Sequence, residues 1–359
     1  MVGVGGRAGR FHLPRSRTGH LTWTGAPAQA TVTLERGWTR EKERGSPWLV
    51  RLIIWLTLRL GWPVGQALLV PTTAYFFITL RHARTWSRHY LGRVLGRPAT
   101  VGDSLRHFFT FACVTLDRIC FLANRVERFH IAVQGLDSLE AALASGRGCI
   151  LLGSHLGSFE VLRAFGRSSP VPVRPLMYRG TTAALSTFME ALDPAIRHDV
   201  IEIGTPTTML RVRESLARGE IVGILADRAP PGAQRFASVD FLGSPARFPT
   251  GPLALAAALQ APVMLFFGLR RGSRDYQVVI EPFAERIEVD PGPRTAALRG
   301  WTERYAARLA EHCRTHPYNW FNFYDFWEQR PDVAATANPA DASLAGQRPS
   351  RRPAVAVTD

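Results

Sequence analysis

Apolar positions fall into three regimes along the chain. Residues 1–46 are rich in Gly, Arg and Thr, show no sustained periodicity and lack the apolar core of a secretory signal, which predicts a disordered basic extension. From Trp48 to Leu80 the chain turns strongly apolar. Trp62–Leu80 is 19 residues without a charge, near the length at which a helix crosses a bilayer. Pro63 and Pro71 argue against one straight helix there. Over Trp48–Leu60, Arg51 and Arg59 stand about 80° apart on a helix, with Ile53, Ile54, Trp55 and Leu56 filling much of the remainder. That pattern suits a helix lying at a membrane surface; a buried core hairpin is the bland alternative.

The third regime begins near Gly135 and alternates between two periods. Leu136, Leu139 and Leu143 form a helical stripe ending at Gly146, and Cys149–Leu152 is a continuous apolar run of the kind a buried parallel strand carries. A helix is expected from about Ser158 and a strand over Val171–Met177. Met209, Val212 and Leu216 mark a further helix closed by Gly219. Ile221–Ala226 reads as a strand, Pro252–Leu259 as a helix and Val263–Leu269 as a strand. Tyr276–Ile280 alternates as an edge strand would, and Leu298, Trp301, Tyr305 and Leu309 stripe a last long helix. The alternation predicts an α/β fold with a mostly parallel central sheet flanked by helices, preceded by an N-terminal apolar membrane-anchoring helical segment. The domain limits that follow are 1–46 for the basic extension, 47–98 for the apolar segment, 99–330 for the α/β domain and 331–359 for a disordered tail rich in Ala, Pro, Arg and Ser.

Charge narrows the function. The formal net charge is +15, and nine arginines against two aspartates lie between Arg51 and Arg118, beside the most apolar stretch. Such a surface favours nucleic acid, anionic lipid or an acidic carrier protein. No helix-turn-helix, zinc-finger spacing or RNA-binding aromatic signature accompanies it, so nucleic acid is set aside. Lys42 is the only lysine, which excludes Schiff-base and phosphate-loop lysine chemistry in the folded core. Cys113, Cys120, Cys149 and Cys313 show no metal-ligand pairing and read as buried reduced thiols.

The sharpest local feature is Gly153-Ser154-His155-Leu156-Gly157-Ser158-Phe159-Glu160, where a buried strand gives way to a helix. Ligand sites in open parallel sheets collect at the carboxyl ends of strands. On one continuous helix His155 and Glu160 would stand about 140° apart and would not meet. With His155 in the turn and Glu160 in the first helical turn, the carboxylate folds back onto one ring nitrogen and leaves the other as a base. A capping histidine and a solvent-facing glutamate is the alternative on spacing alone. No Gly-x-Ser-x-Gly elbow, Gly-x-Gly-x-x-Gly turn or His-Glu-x-x-His helix is present.

His155 with Glu160 resembles the histidine–four residues–acid motif of the lysophospholipid acyltransferase superfamily, and Gly146–Glu160 is similar to the lipid A late (lauroyl/myristoyl) acyltransferases of bacteria. Three further blocks follow in the same order: Tyr178-Arg179 after the second strand, Asp227-Arg228 with Val239–Ala246, and the aromatic run Trp320–Trp327. The resemblance covers roughly 47–330. Two departures stand out, because Ser158-Phe159 occupy the place of an Asn-Trp pair and Arg228 follows the aspartate where Gln or His is usual.

The resemblance implies an O-acyltransferase that needs no metal or redox cofactor. It would move a fatty acyl chain from an acyl carrier protein or acyl-CoA thioester to a hydroxyl of a lipid or glycolipid acceptor of lipid A type or related. His155 would be the general base and Glu160 its orienting partner. Backbone N–H groups after Gly157 would hold the oxyanion. Arg179 and Arg228 would bind phosphate, with structural ion pairs as their alternative, and Asp227 would orient one of them. The aromatic run would either line an acyl tunnel or plug the core. The cell inner membrane is the expected location, with the catalytic domain on the cytoplasmic side. Two competing classes are a non-catalytic membrane-binding relative and a lipid esterase or thioesterase that uses water.

Overall fold

The structure is a computed structural model that describes residues 47–123, 125–162, 171–177, 199–229, 233–289 and 294–327. The expected terminal extensions, Tyr178-Arg179 and the helix expected to continue past Leu162 lie outside the described residues.

Four helices open the described chain: α1 (Pro47–Leu60), α2 (Trp62–Thr79), α3 (Arg81–Leu95) and α4 (Val101–Leu122). Gly61 separates α1 from α2 at φ 98°, and Pro63 sits in the first turn of α2, where its missing N–H costs nothing. Pro71 lies inside α2 without ending it. α2 and α3 bend by 96° across Leu80, and among the described residues no single helix is long and apolar enough to cross a membrane; only by combined length and composition does this bent pair reach that range. α2 has two apolar faces. Trp62, Gly65, Leu69 and Thr73 are buried, with Leu69 packed beside Cys113 and Leu116 of α4, while Val70, Tyr75 and Ile78 are exposed. At the start of α4, Thr100 and Asp103 form a reciprocal capping box.

The α/β part contains β1 (His130–Gln134), α5 (Leu136–Leu143), β2 (Ile150–Gly153), β3 (Val173–Met177), β4 (Ile201–Glu202), α6 (Thr208–Ala217), β5 (Ile221–Leu225), a hairpin of β6 (Phe236–Asp240) and β7 (Pro245–Pro249), α7 (Gly251–Leu259), β8 (Val263–Arg270), β9 (Asp275–Ala284) and α8 (Arg294–Thr315). Among these, β1, β2, β3, β4, β5, β8 and β9 form one sheet in the order β1-β9-β8-β2-β5-β3-β4, parallel except for the β8–β9 pair. This is the mostly parallel sheet flanked by helices that the apolar patterning implies.

The unbroken apolar run at β2 follows from its position. Ile150 and Leu152 face the core shared with α6, α7 and α8, including Val212, Leu253 and Leu309. Cys149 and Leu151 face the opposite core with Phe121 and Leu139. Successive side chains of a strand point to opposite faces, so covering both faces demands apolar residues at every position. The expectation of an edge strand at Tyr276–Ile280 is corrected: β9 lies between β1 and β8, and the edge is β1, four of whose five residues are exposed.

Candidate active site

The carboxyl ends of β2 and β5 are adjacent, with Gly153 in register with Leu225, so the residues just beyond them meet. His155 follows β2 and Asp227 follows β5. The Asp227 carboxylate is fully buried and accepts three hydrogen bonds: from His155 Nδ1 at 2.8 Å, from the His155 backbone N–H at 3.0 Å and from Trp320 Nε1 at 3.0 Å. One carboxylate therefore fixes both the backbone and the ring of the same histidine.

Glu160 makes a different contact from the one its spacing suggested. Its carboxylate accepts from Arg118 Nη2 of α4 at 2.5 Å and from Ser158 Oγ at 3.1 Å. The imidazole partner is Asp227, 72 residues away in sequence. Asp227 was expected to orient an arginine, and it holds the histidine instead. Arg118 had no place in the sequence reading; its only signal is the Asp117-Arg118 pair breaking the apolar face of α4.

Of the oxyanion donors expected after Gly157, the Ser158 N–H is engaged elsewhere, as is the N–H of Gly157 itself. The Gly157 N–H donates to the Asn319 carbonyl at 2.8 Å and the Ser158 N–H to the Gly268 carbonyl at 2.8 Å. Residues 156–157 continue β2 as isolated bridges, Leu156 to Trp320 and Gly157 to Gly268. Gly157 has φ 74°, and a Cβ there would stand 1.9 Å from the Gly268 carbonyl oxygen, so no other residue fits this close approach. Phe159, one of the two departures from the family pattern, packs into the space above Gly223, whose added Cβ would meet the ring at 2.4 Å.

The aromatic run packs beside the site as a buried plug. Trp320 and Phe326 are buried against Tyr90, Phe241 and Phe248. Its backbone is held by three elements: the Phe321 N–H donates to the His155 carbonyl at 3.0 Å, Arg228 Nη2 donates to the Phe321 carbonyl, and His107 Nε2 lies 2.9 Å from the Trp320 carbonyl. Burial pushes the His107 pKa down to about 4, so this histidine is neutral near pH 7, donating through Nε2 with Nδ1 3.0 Å from Ser87 Oγ. Arg228 also lies over the Tyr324 ring at 5.3 Å, while its buried Nε has no hydrogen-bond partner among the described residues.

The electrostatics suit a neutral imidazole. Desolvation first, then the Arg228 charge, push the His155 pKa below its ordinary value; Asp227 pulls the other way, and Arg118 adds to the depression. Burial would raise the Asp227 pKa, but the His155 charge, its hydrogen bonds and Arg228 hold it at about 2. Near pH 7 an ionised Asp227 therefore faces a neutral ring. A carboxylate only accepts hydrogen bonds, so Nδ1 carries the proton and Nε2 keeps the basic lone pair. The ring's side chain is about one-third exposed, at 34%.

The model of the bacterial lipid A biosynthesis acyltransferase family matches residues 46–329. Among characterised proteins, the chain is 26% identical over 260 residues to a phosphatidylinositol mannoside acyltransferase of Mycobacterium tuberculosis, covering 67% of this chain and 76% of that protein. It is 25% identical over 253 residues to the phosphatidylinositol mannoside acyltransferase of Mycolicibacterium smegmatis, covering 67% and 78%. A basic histidine nitrogen beside a buried carboxylate is an arrangement suited to general-base chemistry. The chain belongs to the bacterial lipid A biosynthesis acyltransferase family and is an acyltransferase.

Proposed function

We propose that this enzyme transfers a fatty acyl group from a thioester, on an acyl carrier protein or coenzyme A, to a hydroxyl of a glycolipid, with His155 as general base. The observation that carries the proposal is the 2.8 Å contact of His155 Nδ1 with the buried Asp227 carboxylate. Nε2 accepts the hydroxyl proton as the oxygen attacks the acyl carbonyl carbon. The tetrahedral intermediate collapses, the C–S bond breaks, and the proton passes from the imidazolium to the departing sulfur. Asp227 fixes the tautomer and stabilises the imidazolium formed in between.

Glu160 enters this reading as the holder of Arg118. The Arg118 charge acts on His155 in the direction that lowers the ring's pKa, which supports assigning that guanidinium to negative charge developing on the carbonyl oxygen. Arg228, with its Nε unclaimed, is assigned to phosphate on donor or acceptor. Arg179, outside the described residues, retains only its sequence-based assignment to the same task. Lipid A precursors and the phosphatidylinositol mannosides in the relatives' names are both glycosylated lipids, which supports a sugar hydroxyl as acceptor.

The test is incubation of the purified enzyme with a radiolabelled acyl thioester and each class of glycolipid. Labelled glycolipid is the expected product. Release of free fatty acid with every acceptor would replace the proposal with a thioesterase. Within the same assay, Glu160→Gln is expected to lower kcat by about tenfold, the scale of weakening rather than removing a charge-stabilising contact worth about 1.4 kcal/mol. A loss equal to that of His155→Ala would return Glu160 to the imidazole.

We also place the enzyme at the inner membrane with the catalytic domain on the cytoplasmic side. The exposed Trp55, Leu60, Val70, Tyr75 and Ile78 of α1 and α2, next to the arginines of α3, support this location. Membrane fractions should retain the protein through high-salt washing and release it with detergent, because salt screens charge and leaves apolar burial intact. Recovery in the soluble fraction at low salt would contradict the assignment.

A further inference from the structure

A cavity of about 820 Å³ opens between the end of α2, the length of α3 and the start of α4, and His155 is not part of its lining. Its wall is built by helix periodicity. Arg81, Arg84, Arg88 and Gly92 recur at three- and four-residue spacing and so share one face of α3, with Gly92 leaving room beside the guanidinium groups. Arg93 and His89 complete the rim, and among the described residues no acidic side chain lines the cavity. α3 itself contains no Asp or Glu. Arg97, the next arginine along, is paired with Asp103 and turned out of the cluster.

Several of these guanidiniums are held in place by neutral groups. Arg84 Nη1 donates to the Phe77 carbonyl at 2.7 Å, Arg88 Nε to the Ala99 carbonyl at 3.2 Å, and Arg93 Nη1 to Ser244 Oγ while its face stacks 4.7 Å over Trp327. The buried Arg93 Nε has no hydrogen-bond partner among the described residues. Carbonyls, hydroxyls and the His89 ring, 3.5 Å from Arg93 Nη2, orient these guanidiniums without a carboxylate to neutralise them, so four like charges line one cavity. Such an array is compensated by a multiply charged oxyanion.

We propose that this cavity binds the phosphate of an anionic lipid headgroup. The choice of a lipid rests on the surroundings: Phe77 of α2 and the exposed Val101 of α4 line the same opening, and the exposed Ile78 adjoins it, its carbonyl 3.4 Å from Arg84 Nη1. A bilayer receiving those side chains sets its phosphate layer at the level of the arginines. The site is separate from the catalytic histidine. It goes beyond the proposed transfer reaction and stands or falls without it.

The test uses full-length protein and flotation with vesicles of phosphatidylcholine alone or mixed with phosphatidic acid. Wild type is expected to bind the mixed vesicles far more tightly. Arg81→Gln/Arg88→Gln, both at exposed positions, should lose about thirtyfold in that affinity, the scale of two surface arginines at an anionic membrane. Arg286→Gln/Arg299→Gln, with the same change in net charge beyond the opposite end of the strands, should stay within a few fold. Equal losses in the two double variants would reduce the effect to net charge and overturn the site, as would unchanged binding by the α3 variant. Displacement of the protein from vesicles by coenzyme A, where inorganic phosphate at the same concentration does nothing, would assign the cavity to the acyl donor and overturn the lipid assignment. His155→Ala should bind both vesicle types as wild type does, which keeps a failure here distinct from a failure of the catalytic reading.

Discussion

His155→Ala is expected to lower kcat by a factor of at least about one hundred, and by up to about ten thousand, the range that a positioned general base contributes. The fold should survive. The ring is about one-third exposed, so its removal leaves no large internal cavity. The buried Asp227 carboxylate loses one donor and keeps two, the backbone N–H of residue 155 and Trp320 Nε1. A carboxylate that retains two donors remains tolerable in the interior, whereas one stripped of all donors would not. The measurement is kcat with a saturating thioester, beside a thermal melt. Turnover within a few fold of wild type in a folded variant would remove His155 from the chemistry.

The second large effect is expected at Asp227→Asn, although the shape of the side chain hardly changes. Asparagine has one acceptor oxygen and one NH₂ group where aspartate has two acceptors. The oxygen that replaces Oδ2 is required by two N–H donors, from His155 and Trp320. The NH₂ group then faces His155 Nδ1 and donates to it. This forces the ring's own proton onto Nε2, which blocks the base. The corresponding change in a serine protease triad costs about ten thousandfold by the same tautomer switch, and a loss of at least about a thousandfold is expected here. Combining Asp227→Asn with His155→Ala should add little, because both act through one imidazole. A modest loss at Asp227, equal to that of Glu160→Gln, would contradict the pairing on which the account depends.

The strands that build the site were legible because of their burial. β2, β5 and β8 are covered on both faces, and a doubly covered strand has no polar positions to blur its limits. β1 went unread for the opposite reason, since its edge position leaves four of its five residues exposed and only Ile131 partly covered. The alternation at β9 suggested an edge, yet Tyr276 is polar only at its hydroxyl, which donates to Asp117 at 2.8 Å inside the core. The polar position of that alternation is Gln277, which pairs with Gln134 of the neighbouring β1 at 3.2 Å.

The histidine was equally legible, and its partner was not. Sequence proximity favours Glu160, five residues on, and nothing local distinguishes it from Asp227. The signal that does is the location of Asp227 directly after an apolar strand, as His155 follows its own. That becomes decisive only once β2 and β5 are known to be neighbours. Strand order is set by long-range pairing, which one chain read alone does not reveal. The aromatic run was open between a tunnel and a plug for a similar reason. Trp320 appears apolar in sequence, but its indole N–H is committed to Asp227 at 3.0 Å, and that commitment fixes it as the plug.

The central claim is that Asp227 holds the proton of a neutral His155 on Nδ1, and the tautomer of that ring tests it most directly. Nitrogen-15 NMR of the histidine-labelled enzyme, with the His155 signals assigned by their loss in His155→Ala, reads both nitrogens across a pH titration. Desolvation and Arg228 lower the pKa more than Asp227 raises it. The ring is therefore expected to be neutral at pH 7, protonated on Nδ1 and unprotonated on Nε2, taking up its second proton only below the ordinary histidine value of about 6.5. A neutral ring with its proton on Nε2, or an imidazolium persisting at pH 7, would contradict it.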